Sequence, residues 1–179
     1  SANPIILKGH TDAVVSLLMS PDVRSVVTGS DDRSIRTWDL TKPDPSTDPI
    51  VFDGPRDRIL ALACAWARQS IVAVDGGQNA WVWDLRRPKQ LDFPRSLNAP
   101  VGEIGPVALS SSGDLAVVGS FDGTTRVWTL TNSNPAGKPI VLSGHRGKVV
   151  TVALSPTQRE VATGSTDREA RVWRLEGNR

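Results

Sequence analysis

Four tryptophans recur at a constant step of 45 residues, and this repeat constrains the fold more than any other feature of the sequence. The step joins Trp38, Trp83, Trp128 and Trp173 without insertion or deletion. A period of about 20 to 50 residues indicates an array of similar units that bury apolar faces against each other. The sequence therefore predicts four units at residues 4–48, 49–93, 94–138 and 139–179, after a short expression-vector remnant at residues 1–3.

A Gly-His pair, an aspartate in a turn and a tryptophan mark the units. The last unit carries the full set as Gly144-His145, Asp167 and Trp173. With this period, the set resembles the WD-repeat β-propeller family, in particular bacterial WD repeats with proline-rich connectors, over residues 4–175. The resemblance implies an all-β propeller with four four-stranded antiparallel blades per chain, the outer strand of the last blade being supplied from elsewhere.

The resemblance also implies a relay of four hydrogen-bonded side chains in the first and last units. An indole N–H needs an acceptor, a hydroxyl accepts and donates, an imidazole passes the chain on and a carboxylate ends it. A catalytic relay is the alternative, but the threonine has an indole partner and the set recurs, so a structural role is favoured. The relay residues are His10, Thr28, Asp32 and Trp38, and His145, Thr163, Asp167 and Trp173.

The second unit departs furthest from the motif, and Trp66 falls in it where other units have a turn residue. We therefore expect Trp66 to be exposed, on the ring face that also carries the connector after Trp83. An exposed aromatic beside cations can anchor an acidic or aromatic partner. The alternative is a tryptophan folded over its own blade with solvated arginines around it. The cations are Arg68, Arg86, Arg87 and Lys89.

The opposite rim of the ring has a mixed chemistry. By the resemblance, its residues include Arg58, Glu103, Phe121 and Lys148. Such a mixture suits a protein or peptide partner better than a phosphate ligand. The sequence shows no phosphate-binding glycine loop, metal-ligand cluster or nucleophile elbow. Both histidines belong to relays, so we expect no cofactor, no metal and no enzymatic activity.

Composition excludes several other classes. The net charge of +2 gives no global field for nucleic acid, and a single cysteine excludes an internal disulfide. The longest apolar run, residues 59–67, is shorter than the roughly 18 residues that a membrane span requires. We therefore expect no nucleic-acid or membrane partner and a cytoplasmic location.

Two function classes remain. We favour a non-enzymatic protein–protein interaction scaffold excised from a larger bacterial protein, because the ends of the chain coincide with unit boundaries. The alternative is a small-ligand or substrate-binding propeller whose catalysis is supplied by another domain.

The number of blades bears on the assembly. Propellers have about 4 to 8 blades, and WD-type blades are usually met in rings of about seven or eight. Four such blades leave a half-ring, so we favour a homodimer that closes an eight-bladed ring, with Pro4 to Leu7 completing the last blade of the other chain. A four-bladed monomeric ring and a fragment of a longer array are the alternatives.

Overall fold

The computed structural model describes residues 3–52, 55–86, 95–97, 104–131 and 134–175. These residues form short strands and a single-turn 3-10 helix at Pro45–Thr47. The strands are β1 (Val14–Met19), β2 (Ser25–Ser30), β3 (Ile35–Asp39), β4 (Ile50–Phe52), β5 (Ile59–Ala65), β6 (Ser70–Asp75), β7 (Ala80–Asp84), β8 (Arg95–Ser96), β9 (Ile104–Leu109), β10 (Leu115–Ser120), β11 (Thr124–Thr131), β12 (Asn134–Ser143), β13 (Val149–Leu154), β14 (Glu160–Ser165) and β15 (Ala170–Arg174).

The strands form one antiparallel sheet per unit, as the repeat predicts. The first three sheets have four strands each, β1–β4, β5–β8 and β9–β12, in chain order. The fourth sheet has three strands, β13–β15, within the described part of the chain. The N-terminal segment, residues 3–13, is not part of a strand. The all-β class and the antiparallel blades are confirmed.

The turn between the second and third strands of each blade has the same conformation in all four units. Arg33, Gln78, Gly123 and Arg168 have φ angles of 68°, 67°, 84° and 72°. Only one of the four is glycine, the residue that adopts positive φ most readily. The spacing of 45 residues is thus kept in the backbone as well as in the sequence.

The hydrophobic core lies between blades rather than inside them. One cluster joins blades 1 and 2, and it contains Val27, Ile35, Phe52, Ile59, Leu62 and Trp83. A second joins blades 2 and 3, with Val72, Ala80, Val82, Leu97, Val118 and Trp128. A third joins blades 3 and 4, with Val117, Val127 and Val161. Each blade therefore needs a neighbour on both faces to bury its apolar residues.

Two strand features depart from a regular repeat. In the inner strand β1, Val14 and Leu17 are about half exposed because no blade in the described chain packs on that side. In the third unit the connector is part of an extended hairpin, in which Leu130 of β11 pairs with Pro135 of β12. No helix in the described ranges is long and apolar enough to span a membrane.

Candidate functional site

The relay of the first blade is a continuous chain of hydrogen bonds. Trp38 donates its indole N–H to Thr28 Oγ1 at 2.8 Å, and Thr28 Oγ1 lies 2.7 Å from His10 Nε2. His10 Nδ1 lies 2.8 Å from Asp32 Oδ2. Since an indole can only donate, the threonine hydroxyl hydrogen is left for His10 Nε2, and Nδ1 carries the proton given to Asp32. This order of donors fits a neutral imidazole.

The last blade repeats these bonds with nearly the same geometry. Trp173 donates to Thr163 Oγ1 at 2.9 Å, and Thr163 Oγ1 lies 2.8 Å from His145 Nε2. His145 Nδ1 lies 2.8 Å from Asp167 Oδ2. Thr28 and Thr163 are each only 3% exposed, so neither hydroxyl is accessible to a substrate. The geometry therefore favours the structural role of the relay over the catalytic one.

The glycine before each relay histidine allows a close approach of the backbone. A side chain on Gly9 would meet the guanidinium of Arg36 and lie 3.3 Å from Trp38 Cη2, and Gly144 stands in the same relation to Arg171 and Trp173. The Arg36 guanidinium carbon lies 6.0 Å from the centre of the Trp38 ring. The Gly-His pair thus leaves space for an arginine that covers the tryptophan.

The relay aspartates are strongly acidic. Burial alone raises the pKa of Asp32, but hydrogen bonds from Ser34, the Thr11 backbone N–H and His10 outweigh it and hold the pKa well below its usual range. In Asp167, burial acts in the same direction and is outweighed by hydrogen bonds from His145 and from the backbone N–H of Arg146. Both carboxylates are therefore ionised at neutral pH.

The second blade contains a different polar network, which the sequence reading missed. Asp75 is fully buried; its Oδ1 accepts from the Asn79 backbone N–H at 2.9 Å, and its Oδ2 accepts from the Trp81 indole at 2.9 Å. Trp81 stands where the other units have Arg36, Arg126 and Arg171. The sequence contains one indication of this bond: Asp75 replaces a serine in the same unit in which Trp81 replaces an arginine.

The expectation of an exposed Trp66 is wrong. Trp66 is only partly exposed and packs against the cluster between blades 1 and 2. Two neighbouring cations are also paired, Arg68 with Asp114 of the next blade and Arg86 with Asp84. Arg87 and Lys89 lie outside the described residues. Trp66 therefore contributes to the packing between blades 1 and 2 and is not an exposed anchor.

The rim residues fall into two groups. Arg58 and Phe121 line a cavity of about 520 Å³ between blades 2 and 3, and the Lys148 Nζ atom lies 4.5 Å from the centre of the Phe121 ring. Glu103 lies outside the described residues. The structure thus brings three of the four rim candidates together.

One set of side chains has metal-ligand chemistry. Ligand atoms of His145, Asp167 and Glu169 lie within 4.8 Å of one another. His145 Nδ1 already bonds to Asp167, and Glu169 Oε2 accepts from Arg171 at 2.6 Å. A metal would have to displace these hydrogen bonds, so the geometry does not favour a metal centre.

The comparison with known families bears directly on the repeat. Three segments, residues 3–39, 105–129 and 138–174, match the family described as WD domain, G-beta repeat (WD40). The chain belongs to this WD-repeat family. The matched segments leave out residues 40–104, which contain Pro55, Ala73 and Gly77 in place of the motif residues. WD repeats in general suggest a protein-interaction scaffold, and their proteins are generally non-catalytic.

Individual relatives add similarity of sequence and of fold. The chain is 64% identical over 33 residues to Protein ANTHESIS POMOTING FACTOR 1 of Arabidopsis thaliana, a match that covers 18% of this chain and 10% of that protein. The crystal structure of the computationally designed Ika4 protein superposes with a TM-score of 0.77 at 23% identity, covering 98% of this chain and 100% of that one. At this identity the structural likeness concerns the fold alone.

Proposed function

We propose that this chain is a non-enzymatic protein-interaction scaffold and that two copies close into one eight-bladed propeller. The observation that carries the proposal is the exposure of apolar residues on the two end blades. The equivalent described positions are buried or partly buried wherever a neighbouring blade is present.

The first of these surfaces is the leading face, formed by Val14, Leu17 and Met19 of blade 1. Val14 is 50% and Leu17 55% exposed, whereas Ile59 and Leu62, at the same positions of blade 2, are 0% and 7% exposed. Ile59 and Leu62 are buried against blade 1. The leading face therefore has the shape and chemistry that receives a preceding blade.

The second surface is the trailing face, formed by Ala162, Ala170 and Val172 of blade 4. Val172 is 71% exposed, whereas Val82 and Val127, at the same position of blades 2 and 3, are almost fully buried. A trailing face packs on a leading face at every junction within the chain. The trailing face of one copy and the leading face of another are therefore expected to pack in the same way, twice per dimer.

The N-terminal segment provides the missing outer strand in this arrangement. In blade 1 the outer strand pairs Ile35 with Phe52 and Thr37 with Ile50. By the 45-residue repeat, the equivalent pairs in blade 4 join Ala170 to Leu7 of a second copy and Val172 to Ile5 of that copy. Ile5 is 63% exposed, and residues 3–8 have no strand partner among the described residues. Strand exchange would pair the open edge of β15, as native sheets require.

Solution mass tests the assembly. At micromolar concentration, we expect sedimentation equilibrium to give twice the 19.2 kDa mass of the chain. Val172→Glu places a charge on the trailing face and should give single chains. Val141→Glu is the matched control, because Val141 is also exposed but lies on the outer strand β12. A wild-type mass of one chain, or a dimer that survives Val172→Glu, would contradict the proposal.

A small-ligand-binding propeller is the second candidate, and the cavity between blades 2 and 3 is the observation in its favour. A metabolite that raises the melting temperature of the isolated protein would support it. The cytoplasmic location and the origin in a larger bacterial protein also belong to the proposal. They rest on the sequence alone, notably the proline-rich connector at residues 41–48.

A further inference from the structure

A cavity of about 520 Å³ is lined by residues of blades 2 and 3 and by Val150 of blade 4, on the ring face that carries the turns before β7 and β11. Its volume is within the range of about 300 to 1,000 Å³ found for ligand pockets. The lining consists mainly of apolar side chains and glycines, with a few polar groups. The lining residues are Arg58, Leu60, Ala61, Asp75, Gly76, Gln78, Gly105, Pro106, Phe121 and Val150.

Two residues of the cavity lining distinguish the third unit from the others. Gly105 of β9 stands where the other units have Val15, Leu60 and Val150. A side chain at Gly105 would lie 2.8 Å from Phe121 Cε1. The Phe121 ring thus occupies the space that a side chain at Gly105 would need, and both residues line the cavity. The other three units have neither a glycine at the first position nor an aromatic residue at the second.

The polar groups at its edge favour an anion. The Asp75 carboxylate is fully buried and accepts hydrogen bonds from Asn79 and Trp81, so its oxygens are not available as ligands. The exposed side chains of Arg58 and Gln78 have no hydrogen-bond partner within the part of the chain that the structure describes. Asp57 accepts the backbone N–H of Arg58 at 2.7 Å rather than its guanidinium. An arginine with free donors is suited to a carboxylate.

The walls of the cavity favour a segment of a larger partner over a small molecule. Leu60 is 40% and Val150 51% exposed. Pockets for small ligands bury about 70 to 90% of the ligand surface, and walls this open favour a ligand that extends beyond the cavity. A protein partner can insert one side chain and cover the walls with the residues around it.

We propose that this cavity docks an extended peptide segment in which an aromatic or aliphatic side chain is next to an acidic residue. The apolar side chain packs on Phe121, Leu60 and Val150, and the carboxylate bonds to Arg58. This inference rests on the proposed scaffold function and names the chemistry of its partner. It does not depend on the dimer, because the cavity lies away from the leading and trailing faces.

Calorimetric titration with two blocked synthetic peptides tests the docking. One has a Phe-Glu-Leu-Glu centre, and its basic analogue has a Phe-Lys-Leu-Lys centre. We expect the acidic peptide to bind and the basic one not to bind. Arg58→Glu should weaken the acidic peptide about tenfold or more, since hydrogen bonds to charged groups are among the stronger ones. Arg159→Glu, a charge reversal at another exposed arginine, should leave its affinity unchanged.

A second variant guards against a folding defect in the first. Val150→Asp adds a negative charge to an exposed wall and should also abolish binding without changing the melting temperature. The docking is overturned if the acidic peptide does not bind, if it binds Arg58→Glu as well as wild type, or if free dicarboxylates compete for the site at the peptide's own affinity. Sedimentation of the same samples reports the assembly separately, so either proposal can fail alone.

Discussion

Trp38 donates its indole N–H to Thr28 Oγ1 at 2.8 Å at a place where neither side chain reaches solvent. The hydroxyl is the only group in the relay that connects the indole to an imidazole. Its removal leaves a buried donor on one side and a buried acceptor on the other. Buried polar groups without partners are costly, so this hydroxyl should matter more to folding than its size indicates.

Thr28→Val tests that expectation, since valine keeps the shape of the side chain and removes only the hydroxyl. We expect a loss of about 1 to 3 kcal/mol in the free energy of unfolding. Urea unfolding at neutral pH measures the loss as a lower midpoint at an unchanged slope. A variant as stable as wild type would show that the relay bonds contribute nothing.

Thr37→Val is the same chemical change with the opposite expected sign. The Thr37 hydroxyl is buried and has no hydrogen-bond partner among the described residues. Blades 2 and 3 have Val82 and Val127 at this position. Removal of an unsatisfied hydroxyl should therefore raise the free energy of unfolding, by up to about 1 kcal/mol. The same urea titration checks it, and a destabilised variant would mean that the hydroxyl has a partner.

Acid should destabilise the protein through the relay aspartates. The pKa of Asp32 is lower in the folded state than its ordinary value, so its contribution to stability is complete above that value, about 3.9, and is lost as the pH falls below it. Asp32→Asn should be less stable at neutral pH and should lose less stability on acidification than wild type. Asp48→Asn is the control, because Asp48 is 88% exposed. Equal acid sensitivity in all three proteins would contradict the assignment.

Trp66→Ala should destabilise the fold. The side chain packs against the cluster between blades 1 and 2 and is only partly exposed. We expect a loss of about 1 to 3 kcal/mol, below the 3 to 5 typical of a fully buried aromatic residue. Thermal and urea unfolding measure it. A loss of no more than about 0.5 kcal/mol would show that Trp66 behaves as a surface residue.

The strict repeat explains how much of the fold could be predicted from the sequence. With no insertion between units, each residue has the neighbours of its equivalents, so the strands around Trp38 and Trp173 follow from one pattern. The same reasoning fails where a unit changes two residues together. Asp75 and Trp81 form their bond across a turn, and neither substitution alone indicates it.

Contacts between blades could not be predicted from the repeat pattern either. The partial burial of Trp66 could not be predicted, because the cluster that it packs against combines residues of two blades. Phe121, sixteen residues after Gly105, occupies the space that a side chain at Gly105 would need. A repeat pattern describes equivalent positions along the chain but not such a packing of unequal residues.

Engineered cysteines can test the register of the exchanged strand at the seam between two copies. The repeat pairs Ile5 with Val172 of the second copy, and directly opposed residues have Cβ atoms about 4.5 to 5.5 Å apart, close to disulfide range. Ile5→Cys combined with Val172→Cys should therefore form covalent dimers under mild oxidation. The native Cys64 should not interfere, because burial raises the pKa of its thiol to about 12. Ile5→Cys combined with Arg171→Cys is the matched control; a shift of one residue moves the side chain to the opposite face of the sheet, so this pair should stay reduced. If the first pair forms no disulfide between two chains, or if both pairs cross-link equally, the N-terminal strand does not complete the last blade in this register.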